Sequence, residues 1–191
     1  MSVIGVVSAL KSEASCLMNL RFPIGRVVNI GARTRLCLSG MGDAAAQVAA
    51  LRLQEYGVNA LVSFGVAAAL DNRLIPGDLV LPELIVDGDE RWPVNLEWRN
   101  QLEQLLPSQL TIVGGVLASS SIPLTSRETK LALGELAGAC AADMESAAIA
   151  RVAANAGMPF IAIRASVDRI DFSPPEALMS AGQSDGGGEM L

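Results

Sequence analysis

The chain of 191 residues contains no histidine. That absence removes Ser-His-Asp and Cys-His chemistry together with the commonest metal ligand. Proton transfer then falls to Asp, Glu, Lys, Tyr or Cys, and the single tyrosine is Tyr56. Carboxylates lead. The stretch "ADMESAA" (142–148) sets Asp143 and Glu145 against small apolar residues, and the mostly apolar segment after it ends at Arg164 and Asp168. Glu13 follows a second apolar stretch, "VIGVVSA" (3–9). Acids at the edges of segments that read as core could grip a ligand and hand it a proton. Each also has an ordinary reading. Glu13 suits the positive first turn of a helix as a solvated residue, one of Asp143 and Glu145 suits a helix cap, and Asp168 can begin a helix or turn.

The elements around these acids alternate short apolar runs with amphipathic stretches. A buried strand is expected at 3–9, then a helix over 10–20. A strand pair follows at 26–30 and 34–40, then a helix from Asp43 to Tyr56 with apolar residues at three- and four-residue spacing. "NALVSFGVAAAL" (59–70) reads as a buried strand running into a small-residue turn. Strands and loops are expected over 76–93, a polar helix at 95–106, a strand over 111–119, a helix near 126–136 and a strand at 138–142. A helix over 144–156 and the strand "PFIAIRAS" (159–166) close the pattern. This alternation predicts an α/β fold with a mainly parallel or mixed sheet covered by helices. One domain is expected over residues 1–180, with a flexible tail at 181–191. Ligands of such folds sit beyond the carboxyl ends of strands. Glu13, Gly40–Gly42, Gly65–Ala69, Ser119–Pro123 and Arg164–Asp168 are all expected there, so they can converge.

Other functions are disfavoured. A net charge of −6 argues against a nucleic-acid backbone or an anionic membrane as partner. Lys11, Arg21, Arg52 and Asp78 interrupt every run that could span a membrane, and no basic leader precedes the first apolar stretch. Cys16, Cys37 and Cys140 are too few and scattered for a disulfide framework, which suits the cytoplasm. Gly40-x-Gly42-x-x-Ala45 superficially fits a dinucleotide fingerprint. The acidic ribose ligand expected about 20 residues later is missing, and Asp71 comes too late.

Taken together, "IGVVSALKSEA", "LSGMGDAAAQVAA", "LVSFGVAAALDNRLIPGDLVLPE" and "ADMESAAIARVAANAGMPFIAIRASVDRID" resemble the purine nucleoside/uridine phosphorylase superfamily, in particular its methylthioadenosine/S-adenosylhomocysteine nucleosidase branch. The Met-Glu pair followed by Arg-Ala-x-x-Asp is the specific part. "RWPVN" and "VDRIDFSPPEAL" add a similarity to the hopanoid-associated nucleosidase group. The resemblance implies roles. Glu13 matches the carboxylate that activates the attacking water, and Asp168 the acid that protonates the purine at its N7 edge. Met144 matches the residue packed on the ribose, and Glu145 the one that binds its hydroxyls. Arg164 occupies the corresponding arginine position. Gly65, Val66 and Ala67 form the loop beneath sugar or phosphate, and Ile122 lies in the base pocket. The resemblance further implies a small nucleoside substrate, water or phosphate as co-substrate, no cofactor and no metal. It also implies a homodimer or higher homo-oligomer.

The chemistry is coherent in itself. Cleaving an N-ribosyl bond leaves an oxocarbenium-like sugar and an electron-rich purine, and protonating the base improves the leaving group. A carboxylic acid donates at neutral pH only where burial or neighbouring charge keeps it protonated, a condition that Asp168, after an apolar strand, can meet. The opposite face needs a base for water, as in inverting glycosidases. The chain departs from the family in three places. Val66 stands where a serine or threonine is usual, and valine cannot donate to phosphate, which favours hydrolysis over phosphorolysis. Ile122 takes the place of an aromatic residue that stacks on adenine, and Pro123 has no N–H to read the purine edge. The sequence also stops before the further helix with which members usually end.

Overall fold

The structure is a computed structural model, and it describes residues 2–18 and 23–172. The expected tail at 181–191 lies outside the described residues. Among the described residues, eleven strands form one mixed sheet. Strand β1 (Ile4–Ser8) is followed by α1 (Lys11–Leu17), the hairpin β2 (Val27–Gly31) and β3 (Thr34–Leu38), and α2 (Asp43–Glu55). Next come β4 (Ala60–Ala69), β5 (Leu79–Val80), the hairpin β6 (Leu84–Asp87) and β7 (Glu90–Pro93), and α3 (Leu96–Leu105). The chain continues through β8 (Ile112–Val113), β9 (Val116–Ser119), α4 (Arg127–Ala137), β10 (Ala141–Asp143), α5 (Ser146–Asn155) and β11 (Phe160–Ser166). The sheet runs β2-β3-β1-β4-β10-β9-β6-β7, and β11 pairs with β4 on its other edge, leading on to β5 and β8.

Local sequence accounts for the helices that cover it. In α2 the buried residues Ala46, Ala49, Ala50 and Leu53 recur at the helical period, giving one inward stripe. α5 is buried along nearly its whole length through Ala147, Ala148, Ile149, Ala150, Val152 and Ala153. These small side chains let α2 and α5 pack closely against each other. Ser126 caps α4 by accepting from the Thr129 N–H, and Gly138 ends it in the left-handed conformation at φ 62.

Pairing along β4 creates the site. β1 runs parallel to β4, and their register ends at Val7 opposite Ser63. β10 runs antiparallel to β4, pairing Ala142 with Ala68 and Ala141 with Ala69. The carboxyl ends of β1 and β10 therefore approach each other head to head along one edge of β4. Residues Phe64–Ala67 have no strand partner on that edge. On the opposite edge β11 pairs without interruption from Leu61 to Ala67.

Four expectations are corrected by this topology. Gly65–Ala69 is not a strand-end turn but part of β4, kept extended by β11 on one edge and then by β10. Arg164 lies within β11 rather than beyond it. The single strand expected over 111–119 is broken at Gly114–Gly115, where Gly115 adopts φ 109. The helix expected from 144 begins at Ser146, leaving Met144 and Glu145 in the connection after β10.

Candidate active site

Into the gap beside β4 come side chains from α1, β10, β11 and the β10–α5 connection. Glu13 is buried, although its position in α1 predicted a solvated face. Its Oε2 accepts from Ser8 Oγ at 3.1 Å and from the Ala9 and Leu10 N–H groups at 3.0 and 2.8 Å. Its Oε1 accepts from the Val66 N–H at 3.0 Å, one of the amides that the missing strand leaves free. Four donors hold a carboxylate in one pose, which suits a base that must face a water molecule. Gly65 makes the approach possible. A Cβ there would stand 2.5 Å from Glu13 Oε1 and would also strike Arg164 Nη1. Gly65→Ala is expected to cost about 1–3 kcal/mol of stability by overpacking, read as a lowered Tm, and to displace both groups.

Arg164 is the buried cation of the cluster. Its Nη2 lies 2.6 Å from Asp143 Oδ2 and 3.9 Å from Glu145 Oε2, and it donates to Ser63 Oγ and Ser146 Oγ. Asp143 also accepts from the Ser146 N–H at 3.2 Å, so of the two acids beside Met144 it is this one, and not the N-cap residue Glu145, whose side chain satisfies the first amide of α5. Glu145 is freed for other work. Its Oε1 accepts from the Gly42 N–H at 2.9 Å, and Gly42, at φ 94, makes the turn that starts α2. Burial pushes the Glu145 carboxyl up from 4.5 to about 7; the Arg164 guanidinium pulls it down, and the Asp143 and Glu13 charges raise it further.

Asp168 stands on the other edge of β4. Its Oδ1 accepts from the Ala69 N–H at 2.8 Å, and its Oδ2 lies 2.6 Å from Lys130 Nζ. Both proposed acid–base groups thus hang from amides of one strand. Val66 and Ala69 are three residues apart, or roughly 10 Å along an extended chain. The apolar surroundings expected to keep a proton on Asp168 are not what the structure shows: Lys130 brings an ammonium to it, so an acid role for Asp168 requires a proton delivered to it during the reaction. Lys130 has no exposed surface, and sequence reasoning missed it. A signal existed: Lys130 is in helical phase with Leu133, Gly134 and Ala137 on the inner face of α4.

The remaining expected residues are less closely joined. Met144 sits half-buried between the two acids, and Ala67 is buried in β4. Ile122 is 64% exposed on the β9–α4 loop and makes no polar link to the acids. That loop is nonetheless tied to them, since the Ser120 N–H donates to Asp143 O at 2.7 Å. A cavity of about 850 Å³, lined in part by Leu70, Arg73, Glu83, Glu135 and Cys140, lies at the opposite end of β10. Arg73 is paired there with Asp71, and Glu83 with Arg99. Volume without free converging groups makes it a weaker site than the gap beside β4.

The chain is similar to known proteins in sequence and in fold. The sequence model of the family described as the phosphorylase superfamily matches residues 18–183. A protein of Buchnera aphidicola subsp. Baizongia pistaciae, named 5'-methylthioadenosine/S-adenosylhomocysteine nucleosidase, is 25% identical over 89% of this chain and 79% of its own. Two solved Helicobacter pylori structures share the fold. A mutant methylthioadenosine nucleosidase with 5'-methylthioadenosine in its active site superposes with a TM-score of 0.79 at 20% identity, covering 97% of this chain and 92% of that one. Futalosine hydrolase does so with 0.78 at 21% identity, covering 96% and 92%.

Proposed function

The chain belongs to the phosphorylase superfamily, and from that premise we propose that it is a nucleosidase. It hydrolyses the N-glycosidic bond of a 5'-substituted purine nucleoside whose base is adenine. The observation that carries the reading is the occupation of the anion-binding positions. The Val66 N–H is held by Glu13, and the Arg164 guanidinium is paired with Asp143. A phosphate dianion entering this gap would meet the Glu13, Asp143 and Glu145 carboxylates with the Arg164 guanidinium already engaged. Water carries no such charge. The name borne by the Buchnera relative supports the same choice.

In this mechanism Glu13 draws a proton from water on one side of the sugar, and Asp168, having taken up a proton from solvent as the nucleoside binds, passes it to the departing purine on the other. Glu145 accepts hydrogen bonds from the ribose hydroxyls, with Met144 against the ring. Gly65, Val66 and Ala67 form the floor of the sugar site, and Ile122 borders the base. Arg164 orients Asp143 and Glu145 rather than an incoming phosphate. A homodimer or higher homo-oligomer in the cytoplasm belongs to the same reading. Among the described residues, no helix is long and apolar enough to cross a membrane.

The test is base release from methylthioadenosine, S-adenosylhomocysteine and an adenosylated hopanoid precursor, with and without phosphate. Release of adenine and free sugar at equal rates in both buffers is expected. Strict phosphate dependence would make the protein a phosphorylase, and binding without release would make it a nucleoside-binding protein.

Glu145 gives the reading a pH signature. An ionised carboxylate accepts two hydroxyl hydrogen bonds, whereas the protonated form has given up part of that capacity. KM for the nucleoside is therefore expected to fall as pH rises through about 7, and Glu145→Gln should lack the step. Stability runs the other way. The folded chain holds this proton more tightly than the unfolded one, so the contribution is complete below the ordinary value of 4.5 and is lost as pH rises through about 7.

A further inference from the structure

We propose that Lys130 is a positioning residue for the base-side half of the reaction, acting through Asp168; this rests on the reading that Asp168 addresses the leaving purine. The observation is a lysine with no exposed surface whose three N–H donors are all used. They reach Asp168 Oδ2 at 2.6 Å, Arg169 O at 3.0 Å and Phe172 O at 2.9 Å. An ammonium so committed has no donor left for a substrate, so any effect it has on catalysis passes through the groups it holds.

The placement is costly enough to need a reason. Taking an ammonium out of water carries a penalty of several kcal/mol. Lys130 also lies in the second turn of α4, near the end where the helix dipole disfavours a cation. What offsets these terms is contact with the segment 168–172, which follows directly on β11. Two of the three bonds go to carbonyls of that segment, and the Phe172 N–H closes the turn onto Arg169 O at 3.0 Å. The third fixes one carboxylate oxygen while the Ala69 N–H fixes the other. Lys130 therefore sets the plane of the Asp168 carboxyl and the path of the chain behind it. A surface lysine making one ion pair would do neither. The Ser126 cap holds the first turn of α4, so the lysine projects from a defined backbone.

The experiment compares Lys130→Met with the unaltered chain on two substrates, a 5'-substituted adenine nucleoside and 4-nitrophenyl riboside. Adenine must be protonated to leave; nitrophenolate need not be. A misplaced acid should lower kcat on the adenine nucleoside about 10²-fold, the lower end of what general acid catalysis supplies. KM for the adenine nucleoside should rise modestly as the base loses its contact, and the rate on the aryl riboside should stay close to that of the unaltered chain. Equal loss on both substrates would mean that Lys130 serves the fold alone, and no loss on either would remove it from the mechanism; both outcomes overturn the proposal. If Lys130→Met does not fold, Lys130→Gln, which retains a polar N–H group without the charge, is read by the same pair of substrates. Calorimetric titration with free adenine needs no turnover. Weaker binding to the Lys130 variant than to the unaltered chain supports the positioning role, and equal binding overturns it. An unaltered chain that binds adenine but releases no base defeats the nucleosidase reading and leaves this last comparison intact.

Discussion

Asp168→Asn is expected to lower kcat for adenine release by about 10²–10⁴-fold, the range that a positioned general acid contributes. Asparagine keeps the shape and can still accept from the Ala69 N–H, so backbone geometry is preserved. It cannot pass a proton to the purine. It also leaves the buried Lys130 ammonium without its counter-charge, so the variant should melt at lower temperature as well. The kinetic loss must therefore be measured per folded molecule, well below Tm. Activity retained in full would mean that the proton reaches the base from another group, and the division of labour between Glu13 and Asp168 would fall with it.

The second large effect concerns stability. Arg164→Met should cost about 3–5 kcal/mol, because removing one partner of a buried ion pair leaves the other uncompensated. Asp143, with 1% of its side chain exposed, would keep only neutral donors. Glu145 and Glu13 would lose the cation that moderates their repulsion. Adding Asp143→Asn to Arg164→Met should restore part of the loss, giving clear non-additivity in a double-mutant cycle of chemical denaturation. Additive losses would show that the two side chains are not energetically coupled.

Much of this arrangement was legible in the residues. The apolar stretches before Glu13 and Asp168 correctly marked strands, and the absence of histidine directed attention to carboxylates. Gly42 and Gly65 are both expected just beyond strand ends, and the structure uses each differently. Gly42 turns with positive φ and offers its N–H to Glu145, whereas Gly65 lies in a strand and simply lacks the Cβ that would strike Glu13. What stayed hidden depends on pairing across distance. Whether "FGVAAA" continues as a strand is decided by β11, about a hundred residues later, because small residues alone fit a turn equally well. The burial of Lys130 depends on where the chain after β11 passes, which no local pattern in α4 records. Asp143 and Glu145 could not be told apart by spacing, and only the Ser146 and Gly42 amides assign one to the helix and the other to the site.

The end-to-end approach of β1 and β10 makes the site a consequence of where two strands stop. Had β1 continued by two residues, or β10 by as many, ordinary ladder bonds would have satisfied the Val66 amide and sealed the edge. Glu13 would then have had no anchor, and the cleft would be plain sheet. Insertions or deletions close to Ser8 or Asp143 should accordingly abolish the cleft while sparing the surrounding architecture. Changes of similar size in the β2–β3 hairpin turn, which lies at the outer margin of the sheet, should leave it open.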